Sequence, residues 1–160
     1  MWYLDDRWIW KYAVGDHRPR RILIVSVVGL LVLSSIAFLS GVRIGLYEFW
    51  GWIVIVPAIA AVAGVVGSGL VPTISSVWLI SVWGYVFPPL VGYLTGEWSG
   101  AGRYTHPRML GFAYGSARAE LLGGIETSVN FGLMLALVIG TLGYVSGSII
   151  RRLSTRVQSS

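Results

Sequence analysis

The stretch GRYTHPRM, residues 102–109, holds one of the two histidines in the chain and follows a long apolar region. A histidine near neutral pH can act as an acid, a base or a ligand, so this stretch could contribute to a polar pocket. We take the following residues as the candidate binding surface: Glu97, Arg103, Tyr104, His106 and Arg108.

The sequence around His106 gives little indication of a metal site or of nucleophilic catalysis. A zinc site would need two or three further ligands, whereas this region offers only glutamates and no second histidine. Nucleophile patterns such as G-x-S-x-G do not occur, and the chain has no cysteine. We therefore expect no metal, no cofactor and no enzymatic activity, with an enzyme acting on lipid through His106 and Glu97 kept as a third hypothesis.

The composition indicates which elements hold this surface in place. Apolar residues make up 55% of the chain and charged residues only 12%, unlike an average soluble domain. Uncharged runs of roughly 18 residues or more are typical of transmembrane helices. The formal charge of +5 does not indicate a nucleic-acid partner, because the basic residues flank apolar runs instead of gathering on one face. The sequence predicts an all-α integral membrane protein.

Four apolar runs predict a four-transmembrane-helix bundle that forms a single membrane domain over residues 1–160. The predicted spans are residues 22–40, 49–67, 73–94 and 128–150; the loop between the third and fourth spans is 95–127, and the ends are 1–21 and 151–160.

Lys and Arg are concentrated before the first span and after the last one. Such a bias marks the cytoplasmic side of a membrane protein. We therefore expect a multi-pass protein of the cell membrane with both termini in the cytoplasm, and the loop 95–127 on the outer side.

Two further helices are expected outside the spans. An N-terminal interfacial helix would begin at Asp5 or Asp6, end at Gly15 and place its aromatic rings in the headgroup layer. An amphipathic helix in the outer loop would begin near Pro107 and stop at Gly123 and Gly124. Its predicted apolar face is Leu110, Ala113, Tyr114, Ala117 and Leu121, with Arg108, Ser116, Arg118 and Glu120 directed elsewhere.

Small residues recur at helical spacing in the second and fourth spans, where they let helix backbones approach closely. We expect them to pack inside the bundle, with packing against another subunit as the alternative. The predicted helix-packing residues are Gly132, Ala136, Gly140, Gly143, Gly147, Ala60, Gly64 and Gly67. Asn130 is the most polar side chain inside a span, and we expect its amide to bridge helices.

These patterns lead to two hypotheses of function. The first is a non-enzymatic subunit or accessory protein that packs through its glycine faces and outer loop with itself or with a larger membrane partner. The second is a small transporter or channel for an uncharged or lipid-like solute, because Pro57 and the pair Pro88 and Pro89 could break helices and expose backbone carbonyls. Ionisable groups are absent from the four spans, which argues against transport of charged solutes.

Overall fold

The computed structural model describes residues 6–98, 102–106 and 115–158, and every regular element in these ranges is a helix. The prediction of an all-helical fold is therefore confirmed. The elements are α1 (Asp6–Val14), α2 (His17–Leu39), α3 (Trp52–Val66), α4 (Leu70–Thr95), α5 (Ala117–Thr127), a π-helical segment (Ser128–Gly132) and α6 (Leu133–Val157).

Three helical stretches are long and apolar enough to cross a membrane: Asp6–Leu39, Leu70–Thr95 and Ala117–Val157. This confirms that the chain carries several candidate membrane-spanning helices. The second predicted span corresponds to α3, which is apolar but has only 15 residues. At ~1.5 Å per residue it is about 22 Å long, shorter than a hydrocarbon core of ~30 Å.

The helix α1 ends at Gly15, as predicted from the sequence. Gly15 has a φ of +69°, and its N–H donates to the carbonyl of Lys11 at 3.0 Å. The next residue, Asp16, donates its N–H to the carbonyl of Gly67 at 3.3 Å. Side chains on Gly15 or Gly69 would overlap the backbone of the opposite segment, so the α1–α2 junction crosses the α3–α4 turn at very close range.

The helices α2 and α4 run in one direction, whereas α3 and the continuous α5–α6 run in the other. The end that holds α1, the α3–α4 turn and the end of α6 is here called the terminal end; there the Tyr144 hydroxyl donates to the carbonyl of Tyr12 at 3.4 Å. The opposite end, with residues 40–51 and 102–106, is called the loop end; there Arg103 donates to the carbonyl of Phe38.

The closest helix contact joins α3 to α6 through small residues. A Cβ atom on Gly147 would overlap the carbonyl oxygen of Ala61, and one on Gly64 would overlap the carbonyl oxygen of Tyr144. Gly143 lies directly against Ala60. The backbones of α3 and α6 are therefore in direct contact. In lipid no hydrophobic effect drives helices together, and close packing of this kind stabilises their association instead.

The other small residues of the last helical stretch face α4. A Cβ on Gly140 would lie 3.0 Å from the Ile74 side chain, and one on Gly132 would lie 3.2 Å from the side chain of Ser81. Ala136 is fully buried. The predicted packing residue Gly67 lies instead in the α3–α4 turn, with a φ of +75° and the Arg151 guanidinium beside it.

The prolines do not end their helices, although the pair Pro88 and Pro89 was expected to bend or end the third predicted span. The helix α3 continues through Pro57, and α4 continues through Pro88 and Pro89 to Thr95. Each proline lacks the N–H that would bond to the carbonyl four residues earlier, which frees the carbonyls of Gly84 and Tyr85. The Tyr85 carbonyl instead faces the Cα of Gly124, where any side chain would overlap it. This contact compensates part of the lost bonding.

The predicted amphipathic helix between Pro107 and Gly124 needs correction. The residues 107–114, including Leu110, Ala113 and Tyr114 of its apolar face, lie outside the described residues. In the described part the helix runs on through Gly123 and Gly124 into the last span. Both glycines are buried inside this continuous helix, and Gly124 lies directly against the backbone of α4 at Tyr85.

The α3–α6 contact leads to a stability prediction. Replacing Gly147 by alanine should lower the free energy of unfolding by about 1–3 kcal/mol, because the new methyl group meets backbone that cannot move aside. Replacing Gly29 by alanine is the matched control, since nothing lies within 4 Å of its Cβ position. That control should be neutral or stabilising by up to about 1 kcal/mol. Reversible unfolding in mixed micelles measures both changes, and equal effects would contradict the contact.

Candidate binding site at the loop end

A buried ion pair lies at the loop end of the bundle. The Nδ1 atom of His106 is 2.7 Å from Oε2 of Glu120, and the backbone N–H of His106 donates to the same oxygen at 3.3 Å. His106 is 3% exposed and Glu120 is 0% exposed. An ionised carboxylate only accepts hydrogen bonds, so when Glu120 is ionised the proton of this bond is carried by Nδ1 of His106.

The face of α5 that carries Glu120 explains the burial of this pair. Glu120, Gly123 and Gly124 are spaced three and four residues apart, so they share one face of α5, and all three are buried. Gly124 lies against the Tyr85 carbonyl, and its Cβ position is 3.3 Å from the Cβ of His106. The missing side chain of Gly124 thus brings α5 close enough to α4 for Glu120 to be enclosed.

Arg103 is held among aromatic rings beside this pair. Its guanidinium carbon lies 4.5 Å from the centre of the Phe38 ring and 5.3 Å from that of Tyr104. It also donates to the carbonyl of Phe38 at the end of α2. The cation therefore ties the loop to the last turn of α2 and caps carbonyl groups where the helix dipole is negative.

Tyr104 continues this arrangement toward the surface. Its hydroxyl donates to Oε2 of Glu97 at 3.0 Å, and its side chain packs against Gly92 near the end of α4. Residues 102–106 therefore fold back along α4 instead of projecting away from it.

A cleft of about 190 Å³ opens between this loop and residues 45–48. On its far side the hydroxyls of Tyr47 and Tyr85 lie 3.4 Å apart. The cleft combines carboxylate, guanidinium, imidazole and hydroxyl groups, so it can bind a small polar molecule through several directed hydrogen bonds. Its lining is Gly45, Leu46, Tyr47, Glu48, Gly84, Pro88, Gly102, Arg103, Thr105 and His106.

The structure brings some of the predicted surface residues together and separates others. Arg103 and His106 both line the cleft, whereas Tyr104 and Glu97 pair with each other outside it. Arg108 lies outside the described residues. No group of three His, Asp or Glu side chains that could hold a metal ion occurs within the described ranges.

Glu120 and the tyrosine pair were not singled out from the sequence. We expected Glu120, in the loop between the third and fourth predicted spans, to lie on the polar side of an amphipathic helix, but it is fully buried. The sequence feature that indicates the burial of Glu120 is its helical spacing with Gly123 and Gly124, which places the glutamate on the same face of α5 as the two glycines. Asn130, in contrast, is exposed, and among the described residues its side chain forms no hydrogen bond to another helix.

A second, apolar site lies along the side of the bundle. The helices α2 and α3 run side by side but leave a groove of about 510 Å³ between them. The groove follows about three turns of both helices and ends near Ser68, whose hydroxyl is buried and has no hydrogen-bond partner among the described residues. Its lining is Pro19, Ile22, Leu23, Ser26, Val27, Leu30, Ile55, Ala58, Ile59, Val62, Ala63, Val66 and Ser68.

Comparison with known proteins gives no assignment for either site. The chain matches no protein family, and no curated protein or solved structure is similar to it. The function is therefore argued from the sites themselves.

The buried ion pair leads to a second stability prediction. Replacing Glu120 by alanine should lower the free energy of unfolding by about 3–5 kcal/mol, because it removes the carboxylate that a buried imidazole N–H bonds to. Glu126 is the matched control, since it lies on the same helix and is exposed. Its replacement by alanine should change the stability by no more than about 0.5 kcal/mol. Thermal unfolding in detergent compares the two, and similar losses would contradict a structural role for the pair.

Proposed function

We propose that the protein is a non-enzymatic membrane component that receives a helix of another subunit in the groove between α2 and α3. The observation that carries this proposal is the groove itself, which is apolar along about three turns of two helices and is not filled by any of the residues that the structure describes. An apolar groove of this kind suits an apolar helix as its occupant.

The proposal includes four membrane crossings, with α3 as the short one. Its two ends support this assignment, because Trp52 packs against Trp83 toward the loop end and Gly67 lies beside Arg151 at the terminal end. Both termini would face the cytoplasm, since Lys and Arg are concentrated at the terminal end. In this arrangement α1 lies at the inner surface, and the cleft with His106 opens on the outer side.

The packing inside the bundle leaves the groove as the surface on which a partner helix can bind. The glycine faces that could serve a second subunit already contact α3 and α4 of the same chain. The groove retains small side chains, among them Ser26, Ala58 and Ala63, which allow another helix to approach. The unpaired hydroxyl of Ser68 adds a polar group that a partner side chain could satisfy.

Site-directed photocrosslinking tests this proposal cleanly, because the chain has no natural cysteine. An Ala58→Cys variant carrying a benzophenone maleimide is irradiated in native membranes. The expected product is a defined protein adduct, either a dimer of the chain or a complex with a larger subunit.

The matched control is Leu142→Cys on α6, a side chain that is 64% exposed and lies outside the groove. It should give no defined protein adduct. Adducts with lipid alone at Ala58→Cys, or the same protein adduct from both positions, would contradict the proposal.

The cleft at the loop end favours a second candidate function, the binding and passage of an uncharged polar solute. Pro88 forms part of its wall, and the carbonyl freed at Gly84 lies beside it. Backbone carbonyls of interrupted helices are one way to bind a solute without charged side chains in the membrane.

Flux measurements in proteoliposomes test this second candidate. If the cleft is an entry site, Thr105→Trp should abolish the flux of small neutral solutes such as glycerol or urea, because the indole fills the cleft that Thr105 lines. Thr95→Trp is the matched control, since Thr95 is exposed at the end of α4 and lies outside the cleft. Flux equal to that of empty vesicles, or equal inhibition by both variants, would contradict the candidate.

A further inference from the structure

A basic pocket lies at the terminal end of the bundle, far from the cleft and on a different side from the groove. It has a volume of about 220 Å³ and is bounded by α1, the end of α3 and the last turns of α6. Its lining is Lys11, Tyr12, Asp16, Gly64, Gly67, Tyr144, Ser148, Arg151, Arg152 and Thr155.

The charge of this pocket is not balanced. Lys11, Arg151 and Arg152 all line it, and none of them forms an ion pair with a carboxylate among the described residues. Asp16 is the one acidic residue of the lining. The pocket therefore carries a net positive charge of two between helices, which favours an anionic ligand.

The guanidinium of Arg152 is held in position by α1. It donates to the hydroxyl of Tyr12 at 2.7 Å, and its central carbon lies 5.5 Å from the centre of the same ring. The backbone carbonyl of Tyr12 in turn accepts from the hydroxyl of Tyr144 at 3.4 Å. An arginine fixed in this way loses less side-chain freedom when it binds an oxyanion.

An apolar cleft adjoins the basic pocket, and this cleft indicates which kind of anion the pocket binds. This second cleft, of about 200 Å³, shares Tyr12, Tyr144, Ser148 and Arg152 with the pocket. Its remaining walls are Val145 and Ile149, which are exposed on the outer surface of α6. A ligand that occupies both spaces has a phosphate group at one end and an acyl chain at the other.

We propose that this pocket binds the phosphate headgroup of one anionic phospholipid, with its acyl chain along Val145 and Ile149. The site does not depend on the partner helix or on the solute proposed above. Basic pockets between transmembrane helices are a known means of recognising anionic headgroups. Bound there, the lipid would join α1 to α6 through its phosphate.

Native mass spectrometry of the full-length protein in detergent tests the assignment, with phosphatidylglycerol, phosphatidylcholine and inorganic phosphate as separate probes. One phosphatidylglycerol should remain bound, whereas phosphatidylcholine should not. Inorganic phosphate should fail to displace the lipid, because it lacks the acyl chain. Displacement by phosphate at equal concentration, or equal retention of both lipids, would overturn the proposal.

A charge-matched pair of double variants locates the site. Replacing Arg151 and Arg152 by glutamine should weaken phosphatidylglycerol binding roughly 10- to 30-fold, as expected for two lost contacts of about 1 kcal/mol each. Replacing Arg18 and Arg21 by glutamine removes the same charge from exposed positions outside the pocket and should weaken binding by less than about threefold. Equal weakening by both double variants would show general attraction to the surface and overturn the proposal.

A conservative variant guards against a folding defect in the double variant. Arg152→Lys keeps the charge but loses the planar guanidinium that Tyr12 orients. It should elute as the native protein does on size exclusion and should bind phosphatidylglycerol less tightly than the native chain but more tightly than the double variant. Native affinity in Arg152→Lys would contradict the role of the oriented guanidinium.

Discussion

The contact between the backbones of α3 and α6 is the interaction on which the rest of the bundle depends. The helix α3 has only 15 residues and contains Pro57, which removes one of its backbone hydrogen bonds, so its own length and hydrogen bonding give it little stability in a bilayer. It is held in place because Gly64 on α3 and Gly147 on α6 have no side chain, so that the two helix backbones come into direct contact. In lipid such close packing replaces the hydrophobic driving force that is missing between apolar surfaces.

The use of small residues on two faces of α6 determines where the bundle is closed and where it is open. One face holds α3 and the other holds α4, so α2 has no glycine face left to pack against. It is attached through its buried aliphatic residues Leu23, Val27 and Leu31. Contacts with α4 add to this, namely the bond from the Trp83 indole to the Ser35 hydroxyl at 2.9 Å and the edge contact of Phe38 with Phe87. The groove beside α3 follows from this attachment.

The polar and charged side chains that could bind a ligand therefore lie at the two ends of an apolar bundle. At the loop end, α5 and residues 102–106 enclose the pair of His106 and Glu120 next to the cleft. At the terminal end, α1 and the last turns of α6 surround the basic pocket. The packed layer of small and apolar side chains around Ala60, Val77 and Ala136 separates the two.

The apolar runs and their spacing predicted the helices well, because length and composition alone decide what can lie in a bilayer. The end of α1 at Gly15 was predicted correctly for a local reason, namely that its left-handed φ suits glycine. The burial of Glu120 was not predicted, since it depends on contacts with His106 and α4 that are distant in sequence, and the only local sign of it is the helical spacing of Glu120 with Gly123 and Gly124. Asn130 is exposed in the π-helical segment Ser128–Gly132, whose wider turn shifts the faces on either side, and the bridging role of its amide stays a prediction.

Amide hydrogen exchange along α3 measures the dependence of this helix on α6 most directly. In the native chain the amides of residues 52–66 should be protected to a degree similar to those of α4, despite the short length of the helix and its proline. In the Gly147→Ala variant, exchange should rise selectively in α3 while that of α2 remains unchanged, because only α3 rests on the altered face. Unchanged protection of α3, or an equal rise in α2 and α3, would contradict the account.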